Sequence, residues 1–501
     1  MFWMNGRRAR VHESESGDLL ISHAGQERHF RPQFDFARAV RAFEAFSERH
    51  GEDFFDPDEG IDWFPAIQYF LFQKYVLPSV LYGDALRYIE SNGLQPRFSG
   101  GTRLRVLCRI RQRNSVFDRL VFALAWRIER GLIAFHNRWI CGDYGEMFFQ
   151  YSADEMRLKA LRAEMVRRRK GVTAIGGDFR TTLKYFFSRE YFLVATTRHD
   201  PLGPCKDEDI LLFLGHAVVS QARRQTEMYR KTFRARPTGP RFYGIDDPLY
   251  LFPLLFAMNR CGVQTVGFQH GLYSRNDFGY AVRRCLRFEW YDKLVVWDVF
   301  WAEAYRRINP YYPAESVLAG IGSEQFDVEP TPNPDNRHVL CMYERFLDLG
   351  EYVYFLRALI RAGFHITMKM RPESTVRDLA AEYGLTDDEM AHVDIAERID
   401  GELLGRVSVI AGCKTSLLYS LLPAGRPVWI FETSYHYLEQ VLSLHNVRII
   451  KKSEADQLAD IYAHSVSEYQ QMPQSTFNLS DGLEGVMRQL DNVVDPSNSQ
   501  P

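Results

Sequence analysis

Apolar positions in the latter half of the chain fall in short runs. Each run ends at a polar or small-residue turn and gives way to a segment with helical spacing. Residues 241–245 (RFYGI) read as a buried strand ending at Asp246, Asp247 and Pro248. Residues 249–260 read as a helix stopped by Cys261 and Gly262, and 263–268 (VQTVGF) as the next strand. Further strands follow at 293–297 and 316–320, separated by a helix through Trp301 to Arg307. The pattern then resumes with strands from His338, at 364–370, 408–411, 427–431 and 447–450, and helices near 351–362 and 417–422. Residues after Ser453 read as helical. Strands alternating with helices of this length predict a parallel, doubly wound sheet.

Three prolines in the ten residues 327–336 (DVEPTPNPDN) mark a linker between two such halves. The predicted fold class is therefore α/β, with two Rossmann-like domains facing across a cleft. The earlier pattern is different: residues 62–231 read as mostly helical, as an insertion into the first domain. The expected organisation is an N-terminal appendage over 1–60, an acceptor domain over 61–326, the linker 327–336 and a donor domain over 337–494. A disordered tail is expected over 495–501.

Composition changes this picture little. The 501 residues are 46% hydrophobic and 25% charged, as in ordinary globular proteins. Lys and Arg number 62 against 64 Asp and Glu, which argues against bulk electrostatic binding of nucleic acid. Seven cysteines without a CxxC pair favour reduced thiols over a disulfide framework or a zinc site, and so a cytoplasmic location. No run of about 18 apolar residues is present, and no apolar stretch follows the first basic residues as in a signal peptide. The apolar stretch 120–126 (LVFALAW) reads as a core helix. The basic cluster 167–170 (RRRK) closes a helix that opens with capping-box spacing at Ser152 and Glu155. Both are also the places where peripheral contact with anionic lipid, at the inner face of a membrane, would occur.

In open α/β sheets ligands bind outside the carboxyl ends of the strands. The strongest local signal there is Gly412-Cys413-Lys414-Thr415-Ser416, a small-residue turn running into a helix. Its backbone N–H groups, the hydroxyls of Thr415 and Ser416, and the charge of Lys414 suit an anion. Capping by Thr415 or Ser416 alone is the simpler alternative. The motif GxxxxGK[ST] is absent, so this is no P-loop. Arg371 follows the strand at 364–370, where a guanidinium suits phosphate, and Glu432 follows 427–431, where a carboxylate suits ribose hydroxyls. Glu344, in Tyr343-Glu344-Arg345, follows the first strand of this half and faces donor or acceptor. In the first half, His270 ends a buried strand before Gly271, next to Gln269, with Asp246 and Asp247 on the preceding strand end. A histidine and a carboxylate so placed can take the proton of an acceptor hydroxyl or bind phosphate. Asp277, Glu324 and Asp327 are weaker candidate bases in loops.

Taken together, VGFQHGLYS, YDKLVVWDVFWAEAY and VLAGIGSEQFD resemble the end of the first domain in bacterial surface-carbohydrate transferases of GT-B fold. These include capsule and lipopolysaccharide enzymes that use CMP-linked 3-deoxy-octulosonate or sialate and, more distantly, the CDP-glycerol enzymes of teichoic acid. AGCKTSLLYSLLPAGRPVWIF resembles their second-domain donor motif, and the resemblance spans about residues 241–450. Where CMP-using members carry His-Pro, this chain reads Arg371-Pro372, which counts against carrying a CMP donor over. The resemblance implies a GT-B glycosyltransferase. A nucleotide-sugar donor would be held by Arg371, Lys414, Thr415, Ser416, Glu432 and Glu344. A glycan or lipid-linked acceptor would be served by His270, Asp246 or Asp247. It implies no metal and no cofactor beyond the donor. Polyol-phosphate transfer of the CDP-glycerol type, a nucleotide-sugar epimerase and a non-catalytic scaffold for glycan assembly are the alternatives.

Overall fold

The computed structural model describes residues 7–13, 18–99, 104, 107–108, 146–149, 172–175, 207–233, 241–246, 252–269, 271, 291–319, 335–344, 349–370, 376–413, 415–433, 441, 444–469, 485, 488 and 490. The linker, the stretch 120–126, the segment 152–170 and the tail lie outside them, apart from residues 335 and 336.

The chain opens with strands β1 (Arg7–Glu13), β2 (Leu19–His23) and β3 (Gln26–Phe30), a small antiparallel meander. Helix Phe36–His50 follows. Asp35 caps it by accepting the Arg38 N–H at 2.9 Å, and Ala39, Val40, Phe43 and Phe46 form its buried stripe. A short ribbon of β4 (Phe55–Asp56) and β5 (Ile61–Asp62) leads into helix Phe64–Leu71. Then β6 (Leu94–Ser99) pairs in parallel with β1 and completes the sheet in the order β3-β2-β1-β6. The β1–β6 pairing crosses the expected boundary, and one apolar core joins Phe43 and Phe46 to Phe64, Leu71 and Leu214. Leu214 lies on helix Asp207–Phe233.

The first large sheet contains β7 (Glu146–Phe149), β8 (Val172–Ile175), β9 (Arg241–Ile245), β10 (Gln264–Phe268), β11 (Lys293–Val296) and β12 (Val317–Ala319). All its pairings are parallel, in the order β12-β11-β10-β9-β7-β8. Residues 62–231, besides the helices, supply a third of this sheet's strands, β7 and β8. Each is only four residues long, too short for period-2 alternation to register against helical spacing.

The second sheet contains β13 (His338–Met342), β14 (His365–Lys369), β15 (Val393–Ala396), β16 (Val409–Gly412), β17 (Val428–Phe431) and β18 (Val447–Ile450). It too is wholly parallel, in the order β15-β14-β13-β16-β17-β18. Counted along the chain this is 3-2-1-4-5-6, the strand order of dinucleotide-binding Rossmann domains. The chain is thus an α/β protein with two Rossmann-like, doubly wound sheets. One apolar cluster contains Leu294, Trp301 and Tyr305 of the first half together with Leu340, Met342, Leu418 and Ile430 of the second. Among the described residues, Cys108, Cys261, Cys341 and Cys413 are not in disulfides.

Candidate functional site at the strand ends

A strand order that reverses direction leaves a crevice where two neighbouring connections run to opposite faces. In the second sheet that point lies between β13 and β16. Tyr343 and Glu344 follow β13, and Cys413 and Thr415 follow β16, so the structure brings two of the expected donor-binding residues together. The Glu344 side chain is fully buried, and its Oε1 accepts the backbone N–H groups of Cys413 at 2.9 Å and Thr415 at 3.0 Å. Gly412 permits this approach: a Cβ there would stand 3.3 Å from Glu344 Oε1 and 3.3 Å from Met342 Cβ.

Three buried tyrosines hold the backbone around this contact. Tyr383 accepts the Glu344 N–H and donates to its carbonyl, both at 2.8 Å. Tyr352 donates to Met342 O at 2.5 Å and Tyr419 to Cys413 O at 3.0 Å. Burial holds the Tyr352 and Tyr383 hydroxyls well above their ordinary range, so they remain neutral donors.

Thr415 sits at the N-cap position of helix Ser416–Ser420, yet its side chain makes no cap hydrogen bond. Its half-buried hydroxyl is thus not spent on capping. Ser416 opens the helix, and its side chain lies outside the described residues, as do Lys414 and Arg371. Arg371 follows Met370, whose N–H binds Ala396 O at the end of β15. Glu432 lies farther along the same edge. It is half-buried, its N–H bonds Ile450 O at 2.9 Å, and its Oε2 accepts the Lys452 N–H at 3.2 Å. Among the described residues no hydrogen bond joins it to the 412–415 turn.

In the first sheet the order reverses between β7 and β9. Asp246 directly follows β9, so each half carries a buried carboxylate at its switch point. Asp246 is 3% exposed, its N–H bonds Phe268 O at 2.8 Å, and its charge helps raise the buried Tyr305 hydroxyl, after burial itself. The next strand is followed by Gln269, also buried, whose N–H bonds Val295 O at 2.9 Å. Asp247 and His270 lie outside the described residues, although each follows one of these strand-end residues directly. Asp277, Glu324, Asp327 and Arg345 lie outside them too.

The edge carries one polar residue that sequence reasoning passed over. Asp298 follows β11 and is 1% exposed. Its Oδ1 accepts the Trp301 N–H at 3.1 Å, capping helix Val299–Ile308, while its buried Oδ2 makes no hydrogen bond. Burial pushes this carboxyl up to about 7, against the pull of the Trp301 and Phe300 N–H groups. An aspartate between a strand run and a helix-spaced apolar pattern is the available sequence signal.

No family model and no curated protein sequence matches the chain. Among solved structures it is similar to UDP-N-acetylglucosamine 2-epimerase from Rickettsia bellii, at 12% identity and a TM-score of 0.41, over 70% of this chain and 96% of that one. It is also similar to the glycotransferase of kitacinnamycin, at 12% identity and a TM-score of 0.39, over 70% and 96%. CalG4, the calicheamicin glycosyltransferase, gives 12% and 0.39, over 70% and 100%. At such scores strand order and pairing, rather than likeness, define the fold.

Proposed function

We propose that the chain is a glycosyltransferase that moves a sugar from a nucleotide-activated donor to a growing bacterial surface glycan, a capsule or lipopolysaccharide. The observation that carries this reading is the second sheet's switch point. There the strand order of nucleotide-binding domains coincides with a turn whose Thr415 hydroxyl is not used in capping. The donor lies over the carboxyl edge of this sheet. Arg371, Lys414 and Ser416 hold its charged part, and Glu432 is placed for a ribose hydroxyl. The acceptor approaches the edge of the first sheet, where His270, with Asp246 or Asp247, takes the proton of the attacking hydroxyl. Oriented donors and cations at the second edge stabilise the leaving phosphate, so no metal is required. The chain works in the cytoplasm, in peripheral contact with the inner face of the membrane where a lipid-linked acceptor would be.

A ligand that binds only the native state raises the melting temperature. The purified chain is therefore heated with CMP, CDP, UDP, GDP and their sugar conjugates. A shift specific to one base, lost in Arg371→Ala and Ser416→Ala, is expected. No shift across the panel at millimolar ligand removes the reading.

A further inference from the structure

The basic cluster 167–170 lies outside the described residues, but a second basic surface lies within them. It is the outward face of the sheet β3-β2-β1-β6. Along β1 the buried Ala9 and Val11 alternate with the exposed Arg8, Arg10 and His12. The inward set joins Leu19, Ile21 and Leu94 in the core that also takes Phe43 and Leu86. The register fixes the outward set. Arg8 stands beside Gln95, Arg10 between Ser22 and Arg97, and His12 between Leu20 and Ser99. Acidic neighbours lie on the β2–β3 side: Glu27 accepts the Ser22 hydroxyl at 3.1 Å, and Asp18 stands 3.7 Å from His29. Positive charge is thus concentrated on β1 and β6.

Among the described residues no carboxylate lies within ion-pair distance of Arg8, Arg10 or Arg97. Arg10 and Arg97 are direct partners on neighbouring strands, about 4.8 Å apart, and like charges so placed cost stability. An anionic partner offsets that cost. The three charges are spread at sheet spacings along two strands and do not converge on a point, so they suit a plane of headgroups better than one phosphate. The outward positions carry no Phe, Tyr or Trp on which bases could stack, and the whole chain has 62 basic against 64 acidic residues. Both facts argue against a nucleic acid.

We propose that this face docks the chain on an anionic lipid surface, with Arg8, Arg10 and Arg97 against the headgroups. The choice of a membrane rests on the reading of the acceptor as lipid-linked. The inner side of the same sheet shares its core with Phe252 and Phe256, on the helix that follows β9, so docking holds the acceptor half at the membrane.

The test is flotation of the full chain with phosphatidylcholine vesicles, with and without phosphatidylglycerol. Binding is expected only with phosphatidylglycerol, and it weakens as salt is raised. Each arginine near an anionic leaflet is worth roughly fivefold in affinity, so Arg8→Gln/Arg10→Gln/Arg97→Gln is expected to bind roughly a hundredfold more weakly. The three side chains are exposed, so the fold is expected to persist, which the melting temperature checks. Should the triple variant unfold, Arg10→Glu alone reads the same effect and is expected to weaken binding roughly tenfold. Arg306→Gln/Arg307→Gln, on helix Val299–Ile308, alters charge elsewhere and is expected to bind as the native chain does. Equal binding by the native chain and the arginine variants overturns the proposal, as does equal binding to both vesicles or to neither. Retention on soluble heparin through the same arginines, without flotation, overturns it in favour of a soluble polyanion. The nucleotide-dependent rise in melting temperature needs no vesicle and is expected to persist in the triple variant, so the donor-site reading and the docking face can fail separately.

Discussion

Gln269 ties together the ends of two neighbouring strands: its Oε1 accepts the backbone N–H of Trp297 at 2.9 Å, bridging β10 to β11. The same side chain donates through Nε2 to Gly271 O at 2.9 Å, so one buried amide fixes both sides of the position occupied by His270. Gln269→Ala strands a donor and an acceptor together and is expected to cost about 2 kcal/mol. Gln269→Glu keeps the Trp297 bond but sets a carboxylate against the Gly271 carbonyl, and is expected to cost at least as much. Urea denaturation measures both. A loss below about 0.5 kcal/mol for either variant would show that the bridge does not order this edge.

Gly267, rather than Gly271, is the glycine of this motif whose side-chain space can be seen to be filled. A Cβ on it would lie 2.4 Å from Tyr291 Cδ2 and 2.8 Å from Tyr291 Cγ, inside a ring that is itself buried. Gly267→Ala therefore forces the tyrosine ring aside and is expected to destabilise by about 1–3 kcal/mol. The double variant Gly267→Ala/Tyr291→Ala relieves the overlap. A double-mutant cycle should show a coupling of at least about 1 kcal/mol.

Asp298 links stability to pH with an unusual sign for a carboxylate. Its folded value of about 7 lies above the ordinary 3.8, so the folded chain keeps the proton that the unfolded chain has lost. Its contribution is complete below pH about 4 and disappears as pH rises through about 7, a change of up to about 4 kcal/mol. Asp298→Asn retains an acceptor for the Trp301 N–H without the titration. Denaturation midpoints of the native chain should fall relative to this variant between pH 5 and about 7.5. Parallel curves would rule the linkage out.

His338 works in the opposite direction. Burial, with the charges of His365 and Arg406, pushes its ring down to about 4 from 6.5, while its Nε2 lies 2.7 Å from Thr367 Oγ1. Its contribution is present above pH 6.5 and is lost as pH falls through about 4, up to about 3 kcal/mol. His338→Gln should therefore flatten the acid limb of the stability profile, whereas Asp298→Asn flattens the neutral one. Exchange of those two outcomes would refute both assignments.

The later strands were legible because each buried run in them ends at a turn residue. Arg241–Ile245 falls where RFYGI meets two aspartates, and Val428–Phe431 where VWIF meets Glu432. Val393–Ala396 was not legible: VDIA places an aspartate in a four-residue edge strand, and its partner His365 supplies the reason only once the chain is folded, with His365 Nε2 2.7 Å from Asp394 Oδ2. The site divides in the same way. That Cys413 and Thr415 line a strand-end turn follows from spacing, since a strand, a small-residue turn and a helix are local. That Glu344, about seventy residues earlier, fills the turn from behind depends on β13 and β16 lying side by side, which pairing across the sheet decides and no local window contains. Asp298 was passed over because its distinguishing property is burial of an oxygen, which the sequence does not display.

Arg241 begins β9, is 5% exposed, and donates through its guanidinium to Leu490 O at 2.8 Å. The last described residue therefore meets the first half, although the described stretch 444–469 belongs to the second. Consider a hybrid cut only at the proline-rich stretch 327–336. In this chain such a graft would import a foreign terminal segment against a resident arginine. A workable hybrid needs two junctions, one at the connector and one before residue 485, so that the terminal segment travels with the half it covers.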